Sequence, residues 1–242
     1  MTNRVLIIGA GASGMMAAIQ AARAGAEVTV LEHKDRVGKK LLSTEEACYR
    51  CGQAGFVREV LRQVSVEDTL EFFKGLGILP KDRNGYIYPN SDQASSVLEV
   101  LRMEMEHLGI RVLLNCRIAD IQKTGKDGNA GFSVRTNQGE VQAERLILAA
   151  GSKAAPVTGS DGSGYELARL LGHRIVTPLP ALVQLRCGEK HYKQLAGIRT
   201  DAKITLFASE FGNSAGREHS GGRGVAGRKS GPFWRRSKEN CS

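Results

Sequence analysis

Apolar and polar residues follow two different periods at the start of the chain. Val5-Leu6-Ile7-Ile8 is an unbroken apolar run, which predicts a strand buried on both faces, as in a parallel sheet. Alanines then recur at helical spacing, at positions 17, 18, 21 and 22, and predict a helix. A second strand is predicted over "EVTVLE", residues 27–32. The pattern therefore predicts a strand-helix-strand unit.

Helical spacing of apolar residues returns between Val57 and Leu79 and predicts two amphipathic helices. Ser65 is the predicted cap of the second helix, which should end near Gly75 or Gly77. The segment "GYIYPNSDQ", residues 85–93, is rich in turn-forming residues. We interpret it as a turn-rich connection.

A further helix-to-strand step follows this connection. Ser91 or Asp92 is the predicted cap of a helix over "ASSVLEVLRMEMEHLG", residues 94–109. The apolar run "IRVLLN", residues 110–115, then predicts a strand. Such a step is typical of an α/β sheet.

The next segments predict a three-stranded antiparallel meander and then a parallel strand. "CRIADIQKT" and "GFSVRTNQ" alternate like meander strands, and "EVQAERLILAAGS" follows them. Within it, residues 146–149 are continuously apolar, like a buried parallel strand. That strand ends in Ala150-Gly151, where small residues suit backbone that passes close to a ligand. An ordinary strand end is the alternative.

Three glycines lie between the first strand and the first helix, in "GAGASG". Gly9 permits the tight turn, Gly11 lets a ligand approach the backbone, and Gly14 lets the helix pack close to the strand. The positive end of the helix dipole then faces the turn, which suits a pyrophosphate. This spacing alone is weak evidence for a ligand site, because many glycine-rich turns bind nothing.

An acidic residue at the end of the second predicted strand strengthens the dinucleotide hypothesis. Glu32 lies 18 residues after Gly14, where a carboxylate can accept hydrogen bonds from the adenosine ribose and repel a 2′-phosphate. The combined pattern favours a site for an unphosphorylated adenosine ribose over a purely structural unit.

Composition places the chain among ordinary globular proteins. Its 242 residues suffice for one large domain, or one domain and part of another. It is 41% hydrophobic and 24% charged, and no apolar run approaches the roughly 20 residues of a membrane helix. "MTNR" does not resemble a signal peptide. We therefore expect a cytoplasmic protein without a membrane segment.

The cysteines do not predict a disulfide framework or a metal site. They are five in number, which fits reduced thiols in a cytosolic protein. Only "CYRC", Cys48 to Cys51, has a metal or redox spacing, and it lacks the further ligands that zinc needs. His173 follows a predicted helix end, where a structural role is the simpler interpretation.

Much of the positive charge lies in the last part of the chain. The net charge is +9, and from Ser209 onward seven basic and three acidic residues contribute +4 of it. This segment is rich in Gly, Ser and Arg without helical or strand period, which predicts a disordered basic tail over residues 208–242. Loose nucleic-acid binding through the tail is the alternative.

The order of these elements resembles the flavoproteins with two dinucleotide-binding domains. More narrowly, the resemblance is to the bacterial NAD(P)/FAD-dependent oxidoreductases of the aminoacetone oxidase or flavocytochrome-like type, a family that includes a reductase of bile-acid intermediates. It covers about Val5 to Leu206. The segments that carry it are "GKKLLS", "GYIYPNSDQASSVLEVLR", "AAGSKAAPVTGSDGSGYELARLLGH" and "PLPALVQL".

The resemblance implies an FAD site, with NAD(P)H as electron donor and a small-molecule substrate. Glu32 would hold the ribose, the loop 36–42 would lie along the cofactor, and the Ile118 backbone would meet the adenine. Lys39 and Lys40 could contact phosphate or remain solvated. The implied cofactor-binding residues are Gly9, Ala10, Gly11, Ala12, Ser13, Gly14, Glu32, His33, Lys34, Gly38, Lys39, Lys40, Leu41, Ile118, Ala150 and Gly151. No residue is assigned as catalytic.

Two departures from the family pattern bear on the flavin. After "KKLL" the family continues with Thr-Gly-x-Gly-Arg-Cys-Asn, whereas this chain has "STEEACYRCGQAGF". Its members are also longer and complete the flavin site with a late glycine-rich strand and helix. We therefore expect a truncated chain, whose tail is a truncation scar or a translated wrong frame, and which retains FAD poorly or not at all.

The sequence thus predicts an α/β fold with three parts. These are a Rossmann-type FAD/dinucleotide-binding domain with a β-meander over residues 1–175, the beginning of a β-rich second domain over 176–207, and the tail over 208–242. The expected function is that of an FAD-dependent oxidoreductase. A dinucleotide-binding remnant without redox activity and a weak nucleic-acid binder are the alternatives.

Overall fold

The structure is a computed structural model that describes residues 3–39, 41, 53–83, 85–125, 131–154 and 156–179. The chain divides into two units, Met1–Leu179 and Pro180–Ser242, and the described residues all belong to the first. The segment 180–207 and the predicted tail therefore lie outside the described residues, as does "CYRC". The predicted division into domains stays a prediction.

The described residues alternate strands and helices. In chain order the elements are β1 (Arg4–Ile8), α1 (Ala12–Arg23), β2 (Glu27–Leu31), α2 (Ala54–Arg62), α3 (Val66–Gly75), β3 (Pro80–Arg83), β4 (Tyr86–Pro89), α4 (Ala94–His107), β5 (Arg111–Leu113), β6 (Ile118–Thr124), β7 (Gly131–Thr136), β8 (Gly139–Ala143), β9 (Arg145–Leu148) and α5 (Ser163–Leu170). None of these helices is long and apolar enough to cross a membrane.

A four-stranded parallel sheet forms the centre of the unit. Its order is β5-β2-β1-β9, and β1 pairs in parallel with both β2 and β9. The predicted strand-helix-strand unit is thereby confirmed. The carboxyl ends of the strands meet at one edge of the sheet, where ligands bind in open α/β folds.

Successive residues of β1 explain why the sheet is buried on both faces. Val5 and Ile7 pack into a cluster with residues of α1 and α4. Leu6 and Ile8 point to the opposite face and join a second cluster with the meander. Because side chains alternate along a strand, an unbroken apolar run is the sequence that fills both layers.

The two helices that precede β3, α2 and α3, agree with the prediction. Ser65 caps α3, since its hydroxyl accepts a hydrogen bond from the Asp68 amide at 3.0 Å and its own amide donates to the Asp68 carboxylate at 2.8 Å. This reciprocal pair is a capping box. The helix ends at Gly75, one of the two predicted positions.

The predicted turn-rich connection is wrong in part, because "YIYP" forms a strand. β4 pairs antiparallel with β3, from Tyr86 opposite Arg83 to Pro89 opposite Pro80. The sequence places Asn-Gly directly before Tyr86, and this dipeptide is a strong hairpin signal.

The predicted caps of α4 are also wrong. Its N-cap is Gln93, without a side-chain hydrogen bond. The Asp92 carboxylate instead lies 2.7 Å from the Arg83 guanidinium and 2.5 Å from the Lys81 ammonium. Both cations belong to β3, so a contact distant in sequence occupies the side chain that local pattern assigned to the helix.

The antiparallel meander covers the second face of the sheet. The order β6-β7-β8 confirms the predicted three strands. Val134 of β7 and Ala143 of β8 are buried in the cluster that the meander forms with the sheet. The predicted strand over 110–115 is shorter than expected, since β5 comprises Arg111–Leu113.

The predicted burial of the strand after the meander is only partly correct. β9 is parallel to β1, as expected, but it lies at the edge of the described sheet. Ile147 is 37% exposed, and apolar continuity in β9 therefore does not correspond to full burial. After α5, the His173 amide donates to the Ala168 carbonyl at 3.0 Å, which places His173 at the helix end.

Candidate dinucleotide-binding site

The glycine turn joins β1 to α1 at the carboxyl edge of the sheet. Gly9 has a φ of +100°, which favours glycine. A Cβ on Gly9 would lie 2.5 Å from the Ala149 carbonyl oxygen, and a Cβ on Gly14 would lie 1.8 Å from the Gly9 carbonyl oxygen. Both positions therefore require glycine because the turn packs against neighbouring backbone.

Gly11 differs from its two neighbours in the motif. A Cβ there would meet nothing within 4 Å, so packing within the described residues does not require glycine. Ala12 and Ser13 are exposed, and the first turn of α1 contains no acidic side chain and no side-chain cap. Within the described residues, the N-terminus of α1 thus lies at an exposed surface without a side-chain cap, and the first amides of a helix in such a position can bind phosphate.

Glu32 lies directly after β2 and is buried, with 7% of its surface exposed. One carboxylate oxygen accepts from the Ala10 amide at 2.8 Å, and the other accepts from the Lys34 amide at 2.9 Å. The acid is therefore fixed against the glycine turn. A carboxylate has about four lone-pair positions, so these two bonds leave acceptor capacity for a ribose.

The loop after β2 folds back over the glycine turn. The Gly38 amide donates to the Ala10 carbonyl at 2.8 Å, and the Leu41 amide donates to the Gly38 carbonyl at 2.8 Å. The Lys39 ammonium lies 3.7 Å from the Asp35 carboxylate, an ion pair within the loop. Lys40 lies outside the described residues.

A second loop, residues 156–162, contacts the two residues that follow Glu32. A Cβ on Gly159 would lie 3.1 Å from His33 Cε1 and 3.3 Å from Lys34 Cε. The His33 ring nitrogens lie 3.3 Å from Glu32 Oε1 and 3.8 Å from Asp161 Oδ2. We call residues 156–162 the β9–α5 loop.

The same loop also reaches the end of β9. A Cβ on Gly151 would lie 3.1 Å from the hydroxyl oxygen of Ser160, which is buried. A Cβ on Gly164 would lie 2.9 Å from the Ala150 side chain, so the first turn of α5 packs against this strand end. Ala150 and Gly151 are thus enclosed by protein on one side.

The structure brings most of the predicted positions to one edge of the sheet. These are the glycine turn, Glu32 to Lys34, Gly38 to Leu41 as far as described, and Ala150-Gly151. Ile118 is connected to this edge of the sheet only through neighbouring residues. The Cys116 amide donates to the Glu32 carbonyl at 2.9 Å, and Ile118 begins β6 two residues later, packed against the second core cluster.

Sequence reasoning did not assign the β9–α5 loop to the site. The signal was the glycine-rich segment "GSDGSG", residues 159–164, which leads into a helix as the first glycine turn does. Among the described residues, no group of three or more His, Cys, Asp or Glu side chains is arranged to hold a metal ion.

The chain was compared with known protein families and solved structures. Residues 3–225 match the family described as HI0933-like protein Rossmann domain. That match passes residue 206, where the sequence resemblance was expected to end.

Among characterised relatives, a 3-dehydro-bile acid delta(4,6)-reductase of Clostridium scindens is 44% identical over 219 residues, covering 85% of this chain and 53% of the relative. A ribosomal RNA dihydrouridine synthase of Haemophilus influenzae is 26% identical, covering 95% of this chain and 61% of the relative. The chain therefore spans between about half and three fifths of these relatives' length.

The fold recurs in a solved structure. A 3-ketosteroid-delta4-(5alpha)-dehydrogenase from Rhodococcus jostii, in complex with 4-androstene-3,17-dione, has a TM-score of 0.52 with 18% identity. The match covers 70% of this chain and 54% of that one. At this identity the likeness supports the Rossmann-type fold.

Proposed function

This chain belongs to the HI0933-like Rossmann-domain family, and from that premise we propose that it forms the FAD-binding part of a flavin-dependent oxidoreductase. The observation that carries the proposal is the contrast within the glycine turn. Gly9 and Gly14 are required by packing, whereas among the described residues Gly11 faces open space beside the exposed residues Ala12 and Ser13. A site of that shape suits the pyrophosphate of a dinucleotide.

The described residues fit the adenosine diphosphate part of FAD. The α1 N-terminus would bind the pyrophosphate through the amides of its first turn. Glu32 is held in place by two backbone amides and would accept hydrogen bonds from the ribose hydroxyls. Because the acid is charged and buried, it would oppose a 2′-phosphate, which favours FAD over a 2′-phosphorylated nucleotide at this site.

A bound flavin supplies hydride transfer, and the protein positions it and excludes water. In this chain the Gly38 amide, which donates to the Ala10 carbonyl, holds the loop after β2 against the glycine turn. At the end of β9, Ala150 has only a methyl side chain and Gly151 has none, so a dinucleotide can approach the backbone there. We propose NADH or NADPH as electron donor, in accord with the family resemblance.

The substrate we propose is a small unsaturated ring compound of the steroid or bile-acid type. The support is the 44% identity to the 3-dehydro-bile acid delta(4,6)-reductase. The test is anaerobic mixing of the FAD-loaded protein with NADH or NADPH, followed by an unsaturated 3-oxo steroid. Bleaching by the nucleotide and recovery of colour with the steroid are expected. Absence of bleaching with both nucleotides would contradict an NAD(P)H-linked enzyme.

A ribosomal RNA substrate is the second candidate. It is favoured by the similarity to two ribosomal RNA dihydrouridine synthases, which are 26% and 24% identical to this chain. Binding of an RNA by the native chain, with affinity that falls steeply as salt rises, would support it. If RNA does not bind at low salt and the steroid re-oxidises the flavin, the second candidate is excluded.

The proposal for the cofactor is tested by calorimetric titration of the native chain with FAD and with ADP. Saturable one-to-one binding of both ligands is expected. A chain that binds ADP but cannot be reduced after loading with FAD would correspond to the dinucleotide-binding remnant. Absence of ADP binding by folded protein would contradict the proposed site itself.

A further inference from the structure

We infer that His33 is a positioning residue, which couples the acid of the ribose site to the β9–α5 loop. The inference rests on the proposed dinucleotide site and concerns a residue that need not touch the ligand. His33 directly follows Glu32, and its ring lies between two carboxylates. Nδ1 is 3.3 Å from Glu32 Oε1, and Nε2 is 3.8 Å from Asp161 Oδ2.

The contacts of the ring show that it packs against the loop as well as lying beside the Asp161 carboxylate. Gly159 packs directly on its edge, since a Cβ there would approach His33 Cε1 to 3.1 Å. His33 Nε2 is buried and has no hydrogen-bond partner within the part of the chain described. A buried ring nitrogen is costly without a partner, and the nearest charge that can serve it is Asp161.

The charged residues packed around the His33 ring are arranged as a positioning role for His33 requires. Glu32 and Asp161 carry the two negative charges that face the ring, and the Lys34 side chain runs along Gly159 on the same side. Hydrogen bonds from the Ser163 hydroxyl and amide, with a smaller contribution from the charge of His33, lower the pKa of Asp161. Asp161 therefore stays ionised and is fixed to the start of α5.

His33 is connected to the proposed ligand site in two directions, through the end of β2 and through the end of β9. Toward β2, His33 supports the carboxylate that would bind the ribose. Toward β9, the loop carries Ser160, which is buried against Gly151. Loss of the histidine should therefore loosen the β9–α5 loop and weaken nucleotide binding together, because one side chain connects the two.

Three substitutions separate this role from ordinary packing. His33→Phe keeps the ring but removes both nitrogens, His33→Gln keeps a donor that can reach Asp161, and Asp161→Asn removes the negative charge on the loop. His107→Phe is the matched control, since His107 is an exposed histidine at the end of α4. Amide hydrogen exchange of residues 159–161 and the dissociation constant of ADP are measured for each.

We expect His33→Phe to speed exchange of these amides about tenfold or more and to weaken ADP binding at least about fivefold, with substantial rescue of both by His33→Gln. The double variant with Asp161→Asn should be no worse than the worse single variant, since coupled residues are not additive. Native exchange in His33→Phe, no rescue by His33→Gln, or an additive double variant would each overturn the inference. If the native chain binds no ADP, the proposed function fails, and the exchange data alone still decide whether His33 holds the loop.

Discussion

The three glycines of the turn differ in what a side chain at each position would meet. The sequence motif assigns each glycine its own role, and within the described residues Gly14 abuts the Gly9 carbonyl whereas a Cβ on Gly11 would have no neighbour within 4 Å. Substitutions at these two positions should therefore affect different properties. A substitution at Gly14 should change stability, and a substitution at Gly11 should change ligand binding.

Gly14→Ala should destabilise the fold, because the new methyl group would lie 1.8 Å from the Gly9 carbonyl oxygen. Backbone on both sides must move, and overpacking of this kind costs about 1–3 kcal/mol or more. Urea unfolding monitored by circular dichroism gives the free energy of unfolding. Gly11→Ala is the control and should change it by less than about 1 kcal/mol. Equal stability of the two variants would contradict the close packing of α1 on β1.

Glu32→Gln should weaken ADP binding at least about tenfold, because hydrogen bonds to a charged acceptor contribute roughly 1.5–3 kcal/mol. Gln retains one acceptor oxygen for the Ala10 or Lys34 amide, so the local backbone keeps part of its support. Adenosine 2′-phosphate 5′-diphosphate should lose less affinity than ADP, since the substitution also removes a repulsive charge. Parallel losses for the two ligands, measured by calorimetry, would argue against a ribose contact.

At the scale of elements, ion pairs and caps connect segments that local pattern cannot relate. The Arg4 guanidinium lies 2.7 Å from the Glu144 carboxylate, which joins the start of β1 to the turn between β8 and β9. The side-chain hydrogen bond from Arg4, with a backbone hydrogen bond from the same residue, lowers the pKa of Glu144 from 4.5 to about 2.

This pair should make stability depend on acid pH in a defined direction. A carboxylate whose pKa is lower in the folded state stabilises the fold above pH 4.5, and the contribution is lost as pH falls through about 2. Glu144→Gln should thus lower the urea midpoint at neutral pH and flatten its decline between those values. The control is Glu59→Gln, at an exposed position on α2. If the urea midpoint of Glu144→Gln falls with acid pH as steeply as that of the native chain, the Arg4–Glu144 pair is not the cause of the decline.

The capping box of α3 gives a second prediction for an element. Ser65→Ala should cost about 1 kcal/mol of stability, the usual value for loss of an N-cap side chain. Ser95→Ala is a matched control, because Ser95 is an exposed serine within the first turn of α4. Thermal unfolding distinguishes the two, and equal melting temperatures would show that the cap contributes nothing.

Local sequence pattern predicted those elements whose structure has local causes. The strand-helix-strand unit follows from an apolar run, an alanine face and three glycines, all within one segment. The cap of α3 follows from Ser65 and Asp68, three residues apart. By contrast, Asp92 was assigned to a helix cap but pairs with β3, and His33 meets Asp161 from a distant loop. Such contacts depend on the folded arrangement and leave no periodic signal.

At the scale of the whole molecule, the described unit is a three-layer arrangement with the candidate site at one edge of its parallel sheet. α1 and α4 cover one face of the parallel sheet, and the meander covers the other. The glycine turn, Glu32 and the β9–α5 loop all meet at the carboxyl ends of the strands. This convergence, together with the family, supports an FAD site rather than three unrelated loop features.

The most direct test of the account is calorimetric titration of ADP into the native chain and into Gly11→Val. A valine side chain at position 11 enters the open space beside the α1 N-terminus, so it should block the pyrophosphate without disturbing the fold. One-to-one binding by the native chain and at least about a hundredfold loss, or about 2.7 kcal/mol, in a variant of native stability are expected. Undiminished ADP affinity in folded Gly11→Val would contradict the account.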